Sequence, residues 1–88
     1  MNVIVIYDTA SGSKTSIKVM KLLRRYLFHI QKSVFTGTLN PSQFKLLLAQ
    51  LKELENPETD QIILFYTYQD KDLYQTVFGY PLKNQRLL

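Results

Sequence analysis

Hydrophobic positions along the chain alternate between runs typical of strands and the three-and-four spacing typical of helices. Residues 2–7 are largely apolar and β-branched on both faces, which predicts a central strand that Asp8 ends. Small polar residues at 9–13 predict a loop. From about residue 13 to residue 26, the apolar spacing predicts a helix with one buried stripe. The chain therefore opens with a strand, a loop and an amphipathic helix.

The middle of the chain combines an extended stretch with a well-marked helix. Residues 28–39 favour a sheet, and a Thr-Gly-Thr sequence within them indicates a bend, so we expect one or two short strands. Asn40 is a good N-cap, Pro41 suits the first helical position, and Gln43 can complete a capping box. The second helix then follows a regular apolar stripe until the Asn-Pro pair at 56–57.

The remaining elements complete the order of the fold. Residues 62–68 are a second apolar strand, 69–72 a polar turn, 75–79 one further short strand, and 81–88 a loosely ordered tail. Strand, helix, one or two strands, helix and strand predict the α+β ferredoxin-like βαββαβ sandwich. In that fold two helices lie on one face of an antiparallel sheet, here followed by a short C-terminal strand. We expect one domain over residues 1–88, with its core at about 1–80.

The size of the chain bears on its assembly. A domain of 88 residues builds only a marginal core. Strands that are apolar on both sides leave the sheet surface opposite the helices bare, so we expect a second copy to cover it in a homodimer. Cysteine is absent, which fits a reducing cytoplasm. No apolar run is long enough to span a bilayer and no signal peptide is visible, so we expect a cytoplasmic protein without membrane contact.

Charge is distributed unevenly along the chain. Residues 1–52 carry eight Lys and Arg against one acid, a net charge of +7, whereas residues 53–88 carry three against six acids, a net charge of −3. The first helix presents a basic ridge away from its core stripe, made of Lys14, Lys18, Lys21, Arg24 and Arg25. Such a ridge predicts contacts with nucleic-acid phosphates and no base specificity. The alternative is a solvated helix face.

The aromatic residues and the single histidine are expected to have structural rather than catalytic roles. Phe35 is expected in the core or at the dimer interface, and Tyr66 and Tyr68 are expected to pack across that interface rather than stack on bases. Ser33 has no nearby histidine partner and is not expected to be a nucleophile. His29 is the only histidine, so the sequence does not predict a histidine-based catalytic or metal site.

Two segments carry a family resemblance. The run Val-Ile-Val-Ile-Tyr-Asp at 3–8 and the run Gln-Lys-Ser-Val-Phe-Thr-Gly-Thr-Leu at 31–39 resemble the small CRISPR-associated adaptation protein, the non-integrase subunit of the spacer-acquisition complex. The family also places a basic helix between the two motifs, and the chain length agrees. Two positions differ from the family pattern: residues 9–14 contain no further acid, and His29 stands where many members have arginine.

The resemblance implies a set of properties for this chain. It implies a ferredoxin-like homodimer whose C-terminal strand, here 76–79, adds to the neighbouring protomer's sheet. It also implies assembly with the CRISPR integrase, in which the dimer spans the middle of a short DNA duplex. Some members are metal-dependent nucleases on RNA or double-stranded DNA, and the resemblance then implies that Asp8 binds the metal and is the catalytic residue, with Ser33 and Phe35 near the site.

The chemistry at Asp8 depends on the dimer. One carboxylate is a poor site for Mg²⁺, which takes six oxygen ligands and keeps several as water. Two chains related by a twofold axis would supply a pair of carboxylates, with phosphate oxygens completing the shell. We therefore expect Mg²⁺ (or Mn²⁺) at Asp8 of both protomers, where it would activate water and neutralise the transition state. The alternative is a carboxylate that ends a strand and hydrogen-bonds to its own loop.

These observations favour a nucleic-acid-binding homodimer of CRISPR spacer acquisition that bridges integrase subunits and a short DNA duplex. Metal-dependent endonuclease activity on RNA or double-stranded DNA accompanies this prediction, while the sequence leaves open whether the chain is an enzyme at all. One alternative is a toxin-like endoribonuclease. Another is a protein-binding ferredoxin-like regulator that makes no contact with nucleic acid.

Overall fold

A computed structural model describes residues 1–8, 14–54, 56, 60–68 and 72–79. These residues form five strands and two helices, in the order strand, helix, two strands, helix, two strands. The elements are β1 (Asn2–Asp8), α1 (Lys14–Tyr26), β2 (Phe28–Gln31), β3 (Val34–Thr38), α2 (Pro41–Leu54), β4 (Gln61–Tyr68) and β5 (Asp72–Gly79).

The strands form one antiparallel sheet in the order β2-β3-β1-β4-β5. This is the ferredoxin-like arrangement with one extra strand at the β4 edge, so the predicted α+β fold is confirmed. β1 is the central strand, as its two apolar faces predict, and Val5 pairs with Phe35 on one side and Leu64 on the other. Residues 28–39 form two strands joined by a tight turn at Lys32, which has a positive φ of 40°.

The core lies between one face of the sheet and the two helices. Val3 and Val5 of β1 and Leu64 of β4 are fully buried beneath this layer. From above, α1 contributes Val19, Leu22 and Leu23, and α2 contributes Phe44, Leu47 and Leu51. The strict alternation of buried and exposed residues along β1 shows that only one sheet face is covered by the chain's described residues.

Helix α2 begins as its sequence predicts. The backbone N–H of Gln43 donates to Asn40 Oδ1 at 2.8 Å, and the N–H of Asn40 donates to Gln43 Oε1 at 3.0 Å. This reciprocal pair is a capping box, with Pro41 at the first helical position, and it satisfies donors that the helix cannot. The capping box therefore sets where α2 starts.

A short clamp connects α2 to β4. Asp60 is 1% exposed, and its Oδ2 accepts a hydrogen bond from the Asn56 N–H at 2.8 Å, while the Asp60 N–H donates to the Asn56 carbonyl at 2.8 Å. Gly79, at the end of β5, lies against the Asp60 backbone with a φ of 90°. The clamp thus fixes both the start of β4 and the end of β5.

β5 differs from its sequence-based prediction in length. It starts at Asp72 rather than at Gln75, because pairing with β4 continues from the Gly79–Gln61 pair to the Asp72–Tyr68 pair. Within the chain its partner is β4, and it is the edge strand of the sheet, so the addition of 76–79 to a neighbouring protomer's sheet stays a prediction. The predicted tail at 81–88 lies outside the described residues.

Candidate metal and nucleic-acid site

The sheet face opposite the helices, called the open face here, is apolar and exposed. Its large hydrophobic residues include Ile4 and Ile6 on β1, which are 43% and 37% exposed. At its two sides, Phe28 on β2 is 77% exposed and Leu73 on β5 is 67% exposed. Exposed large apolar groups on three strands of one face form the kind of patch that a protein partner covers.

Asp8 lies on the open face, at the C-terminal end of β1. It alternates with the buried Tyr7 and is exposed, and Gln61 on β4 is its cross-strand neighbour. The carboxylate therefore lies at one end of the apolar patch, on the same side as Ile6. Two copies joined through their open faces would enclose Asp8 at the rim of the interface.

Ser33 and Phe35 lie at different depths relative to this carboxylate. The Ser33 carbonyl accepts a hydrogen bond from the Tyr7 N–H at 3.1 Å, which holds the β2–β3 turn beside the end of β1. Phe35 is fully buried on the helix side of the sheet, with ring centroids 6.0 Å from Tyr7 and 4.6 Å from His29. Ser33 is thus a neighbour of the Asp8 region, while Phe35 supports β3 from the opposite face.

His29 has a structural role in this turn. Its ring stacks on Phe35 with an interplanar angle of 16°, and its Nε2 lies within hydrogen-bond distance of the Lys32 carbonyl. Since the Lys32 backbone adopts a positive φ, this contact supports a turn conformation that is unfavourable for a side chain larger than glycine.

The described residues of one protomer do not suffice for a divalent metal ion. Among the described residues no three His, Cys, Asp or Glu side chains cluster, and the cross-strand neighbour of Asp8 on β4 is the amide residue Gln61. Mg²⁺ prefers carboxylate and carbonyl oxygens and retains water, so Asp8 has suitable chemistry but too few companions. The residues fit a metal only if a second Asp8 faces the first across a dimer.

The basic ridge lies on the other layer of the molecule. All five of its members are exposed on α1: Lys14, Lys18, Lys21, Arg24 and Arg25. Of these, Lys18, Lys21 and Arg25 line a shallow groove of about 330 Å³ between α1 and α2, together with Gln50 and Glu53. In one protomer the structure therefore separates the ridge from Asp8, because the helices and the open face lie on opposite sides of the sheet.

Arg24 differs from the rest of the ridge because it influences a buried residue. Burial raises the pKa of the Tyr7 hydroxyl above its ordinary 10.0, and the positive charge of Arg24 opposes part of this increase. Tyr7 precedes Asp8 but points to the helix side. The tyrosine is thus a buried neutral group under α1 and not a member of the open face.

The sequence-based placement of two tyrosines is wrong. Tyr66 pairs with Val3, and Tyr68 is two residues further along β4, so both lie on the helix side rather than at the open face. Their rings form a cluster with Phe44 of α2 and Tyr74 of β5, with centroid separations between 4.6 and 6.4 Å. The alternation of aromatic residues was visible in the sequence, but the face that each side chain occupies depends on strand register.

Within the described part of the chain, neither helix is long and apolar enough to cross a membrane.

Comparison with known proteins shows that this chain is similar to members of one family. Residues 1–76 match the model of a family described as CRISPR associated protein Cas2. The chain is 38% identical over 71 residues to the CRISPR-associated endoribonuclease Cas2 of Methanosarcina acetivorans, covering 81% of this chain and 78% of that one. It is 31% identical over 85 residues to the Frankia alni protein of the same name, covering 97% and 95%. The crystal structure of Streptococcus pyogenes Cas2 is similar, with a TM-score of 0.68 and 27% identity over 80% of this chain and 89% of that chain.

Proposed function

The chain belongs to the CRISPR-associated Cas2 family, and from that premise we propose that it binds nucleic acid as a homodimer in CRISPR spacer acquisition. In this proposal the dimer bridges integrase subunits and a short DNA duplex. The observation that carries it is the open face, where exposed apolar side chains lie beside Asp8 on one surface. Covering that surface with a second copy removes the apolar groups from water and brings two carboxylates to one interface.

The dimer is the first part of the proposal to test. Ile6→Glu places a charge in the middle of the open face, so we expect sedimentation velocity at micromolar concentration to show a monomer where the unmodified chain is a dimer. Leu46→Glu is the matched control, because Leu46 is 53% exposed on α2, whose buried residues face the sheet. A dimer that survives Ile6→Glu, or an unmodified chain that is monomeric, would contradict the proposed interface.

The basic ridge supplies the duplex contacts in this proposal. Lys18 and Arg25 lie on one side of α1, seven residues or about two turns apart, so they are spaced along a phosphate backbone rather than at one point. Affinity should fall with salt at a log–log slope of about −0.9 per phosphate neutralised. The double substitution Lys18→Glu and Arg25→Glu should weaken duplex binding and reduce the slope. An unchanged slope would instead favour the protein-binding regulator.

Endonuclease activity is the second part of the proposal. The names of the relatives from Methanosarcina acetivorans and Frankia alni describe those proteins as endoribonucleases. In this chain the paired Asp8 carboxylates would hold Mg²⁺ or Mn²⁺, which when bound would supply Lewis acidity and an activated water. The chain's own contribution is to position the two carboxylates rigidly at the ends of two central strands, with the Ser33 carbonyl holding the adjacent backbone.

One substitution separates the structural role from the enzymatic role. Asp8→Asn retains the shape of the side chain and removes its charge, so we expect cleavage of RNA and DNA to disappear while the dimer and duplex binding remain. If spacer acquisition persists in this variant, nuclease activity is dispensable for the pathway. If cleavage persists, Asp8 is not the catalytic residue. If spacer acquisition vanishes together with cleavage, the result favours the alternative interpretation, in which the chain is an endoribonuclease.

A further inference from the structure

The cluster of tyrosines on the helix side has exposed rings that the core does not require. Tyr66 is half-buried against Phe44, with ring centroids 4.6 Å apart, and forms the base of the cluster. Tyr68 and Tyr74 stand further out, 45% and 44% exposed. Tyr74 stacks on Tyr66 at 5.5 Å and 22°, so its ring is held in a defined orientation although it faces solvent. Solvent therefore reaches rings that the neighbouring rings hold in place.

The two exposed rings form a corner. Their centroids are 6.3 Å apart and their planes meet at 84°, so a flat group that lies on one ring presents its edge to the face of the other. Both phenol rings also lie close to Tyr66, whose centroid is 6.4 Å from that of Tyr68. A planar heteroaromatic ring that stacks on one tyrosine thus makes a second aromatic contact without rearrangement of the cluster.

Positive charge borders this corner along α2. The Lys52 Nζ lies 5.6 Å from the centre of the Phe78 ring, so this side of α2 faces the helix-side residues of β5. Lys45 is seven residues earlier, about two turns of helix, and projects from the same side. It follows Phe44 directly, which contacts Tyr66, so Lys45 is placed at the tyrosine end of the strip.

The described residues of this surface include few acidic groups. Glu53, the only acid described on α2, lines the groove toward α1 and so lies on the other side of the helix. Asp72 shares the face of the tyrosines, since it pairs with Tyr68, and lies at the hairpin end of the strip. Among the described residues the strip therefore carries two lysines against one acid.

We propose that this strip, made of Tyr68, Tyr74, Lys45 and Lys52, is a binding surface for single-stranded nucleic acid. Bases stack on the two exposed tyrosine rings and the lysines contact the phosphates. Exposed aromatic rings beside cations are how proteins hold single strands without reading sequence, because every base has a π-face. The surface is separate from the ridge on α1 and from the open face, so it goes beyond the proposed duplex contacts.

A rigid duplex is a poor ligand for the same surface. Its bases are stacked and paired, so they cannot lie on the tyrosine rings, and only the two lysines would contact it. A strand with free bases meets both features at once. The strip therefore predicts a preference for single strands that the α1 ridge, which contacts phosphates only, does not provide.

The test compares two probes on the unmodified chain and on tyrosine variants. The probes are a fluorescein-labelled oligouridylate of about a dozen nucleotides and a labelled duplex of the same length, both followed by fluorescence anisotropy. The double substitution Tyr68→Ala and Tyr74→Ala should raise the Kd for oligouridylate at least tenfold, since one stacked base contributes roughly 5- to 150-fold. Its Kd for duplex should stay within about twofold.

Two controls make the comparison specific. Leu46→Ala removes another exposed apolar side chain, 53% exposed on α2, and should leave the binding of both probes unchanged. Tyr68→Phe with Tyr74→Phe keeps the rings and removes the hydroxyl groups, so oligouridylate binding should be retained. Retained binding in the phenylalanine variant assigns the contact to the rings rather than to the hydroxyl groups. If the alanine variant does not fold, Tyr74→Leu, which removes one ring and keeps an apolar side chain, should bind oligouridylate more weakly, and unchanged binding would overturn the proposal.

Intrinsic fluorescence offers an independent readout. The chain has six tyrosines and no tryptophan, so its emission arises from tyrosine, and stacking of bases on two of the rings should quench it. The quenching by oligouridylate should be smaller in Tyr74→Leu, which keeps an apolar side chain in the cluster. Equal quenching in the two proteins would contradict stacking at Tyr74.

The outcomes separate this proposal from the duplex contacts of the α1 ridge. Selective loss of oligouridylate binding in the tyrosine variants supports it, and Lys45→Ala should then also reduce the salt slope for oligouridylate by about one. Unchanged oligouridylate binding in the alanine variant overturns it, whatever the duplex result. Loss of self-association in sedimentation, with oligouridylate binding unchanged, would assign the strip to a protein contact and also overturn it.

Discussion

Gly79→Ala tests the way in which the end of β5 is fixed. Gly79 has a φ of 90°, a conformation that side chains larger than glycine rarely adopt. A methyl group there would lie 2.7 Å from the carbonyl carbon of Asp60, closer still to its oxygen, and 3.1 Å from the Gln61 Cα. These atoms are backbone, so no change of rotamer relieves the overlap. We therefore expect the end of β5 to separate from β4.

The expected cost follows from the groups involved. A residue with a side chain at this φ costs about 1–3 kcal/mol, and loss of the hydrogen bonding of the Gly79–Gln61 pair adds about 1 kcal/mol. We expect the free energy of unfolding to fall by about 2–4 kcal/mol. For a domain of this size, the total stability is of the order of 4–13 kcal/mol. The substitution should therefore remove a large part of it.

Urea denaturation measures this cost, and Gly37→Ala is the matched control. Gly37 lies in β3, where an added methyl group would lie 2.8 Å from the Leu27 Cδ2, the flexible tip of a side chain that can move. We expect Gly37→Ala to change the unfolding free energy by no more than about 1 kcal/mol, because restricting the unfolded chain offsets part of the crowding. With a slope of about 1–2 kcal/mol/M, Gly79→Ala should lower the urea midpoint by more than about 1 M. Equal midpoints for the two variants would refute the reasoning.

Three further substitutions have defined outcomes. Asp60→Ala removes the buried acceptor for the Asn56 N–H and should cost about 1–3 kcal/mol in urea denaturation; an unchanged midpoint would mean that the clamp is not stabilising. Asn40→Ala removes the N-cap of α2 and should cost about 0.5–2 kcal/mol, most of which Asn40→Ser should restore. Burial raises the pKa of Tyr7 above 10.0, so its contribution to stability is present below pH 10 and is lost as the pH rises through the folded-state pKa. Tyr7→Phe should therefore lose less stability than the unmodified chain between pH 9 and pH 11 in thermal melts, and parallel losses would exclude this contribution.

Local signals in the sequence predicted the elements that depend on them. The capping residues Asn40 and Gln43 lie three positions apart, so the start of α2 was evident from the sequence and is confirmed by their reciprocal hydrogen bonds. The central place of β1 followed from its two apolar faces, and the sheet order confirms it. Both properties are decided within a few residues of chain.

Properties that depend on pairing between strands were less predictable. Asp72 belongs to β5 because Tyr68 faces it across a hairpin, although its own side chain favours a turn. The face occupied by Tyr66 and Tyr68 depends on the register of β4 against β1, since a shift of one residue exchanges the two faces. The sequence pattern shows that successive residues alternate between the two faces of the sheet, but it does not show which residues lie on which face.

The candidate site was likewise predictable from the sequence only in part. Asp8 and the five cations of α1 were identifiable from the sequence, because a carboxylate at a strand end and a basic helix face are local patterns. Their separation on opposite sides of the sheet became apparent only from the fold. The same is true of the groove between α1 and α2 and of the corner formed by Tyr68 and Tyr74.

By itself, the sequence determined the type and order of the helices and strands, the α+β class and the charge of α1, since these depend on residue type and short-range spacing. The tertiary structure alone decided which groups are in contact. These contacts are the clamp between Asn56 and Asp60, the close approach of Gly79 to the Asp60 backbone, and the tyrosine cluster. These contacts join segments that are distant in the chain or arise in loops without a periodic pattern. Their geometry is set by packing and strand register, which no local stretch of sequence contains.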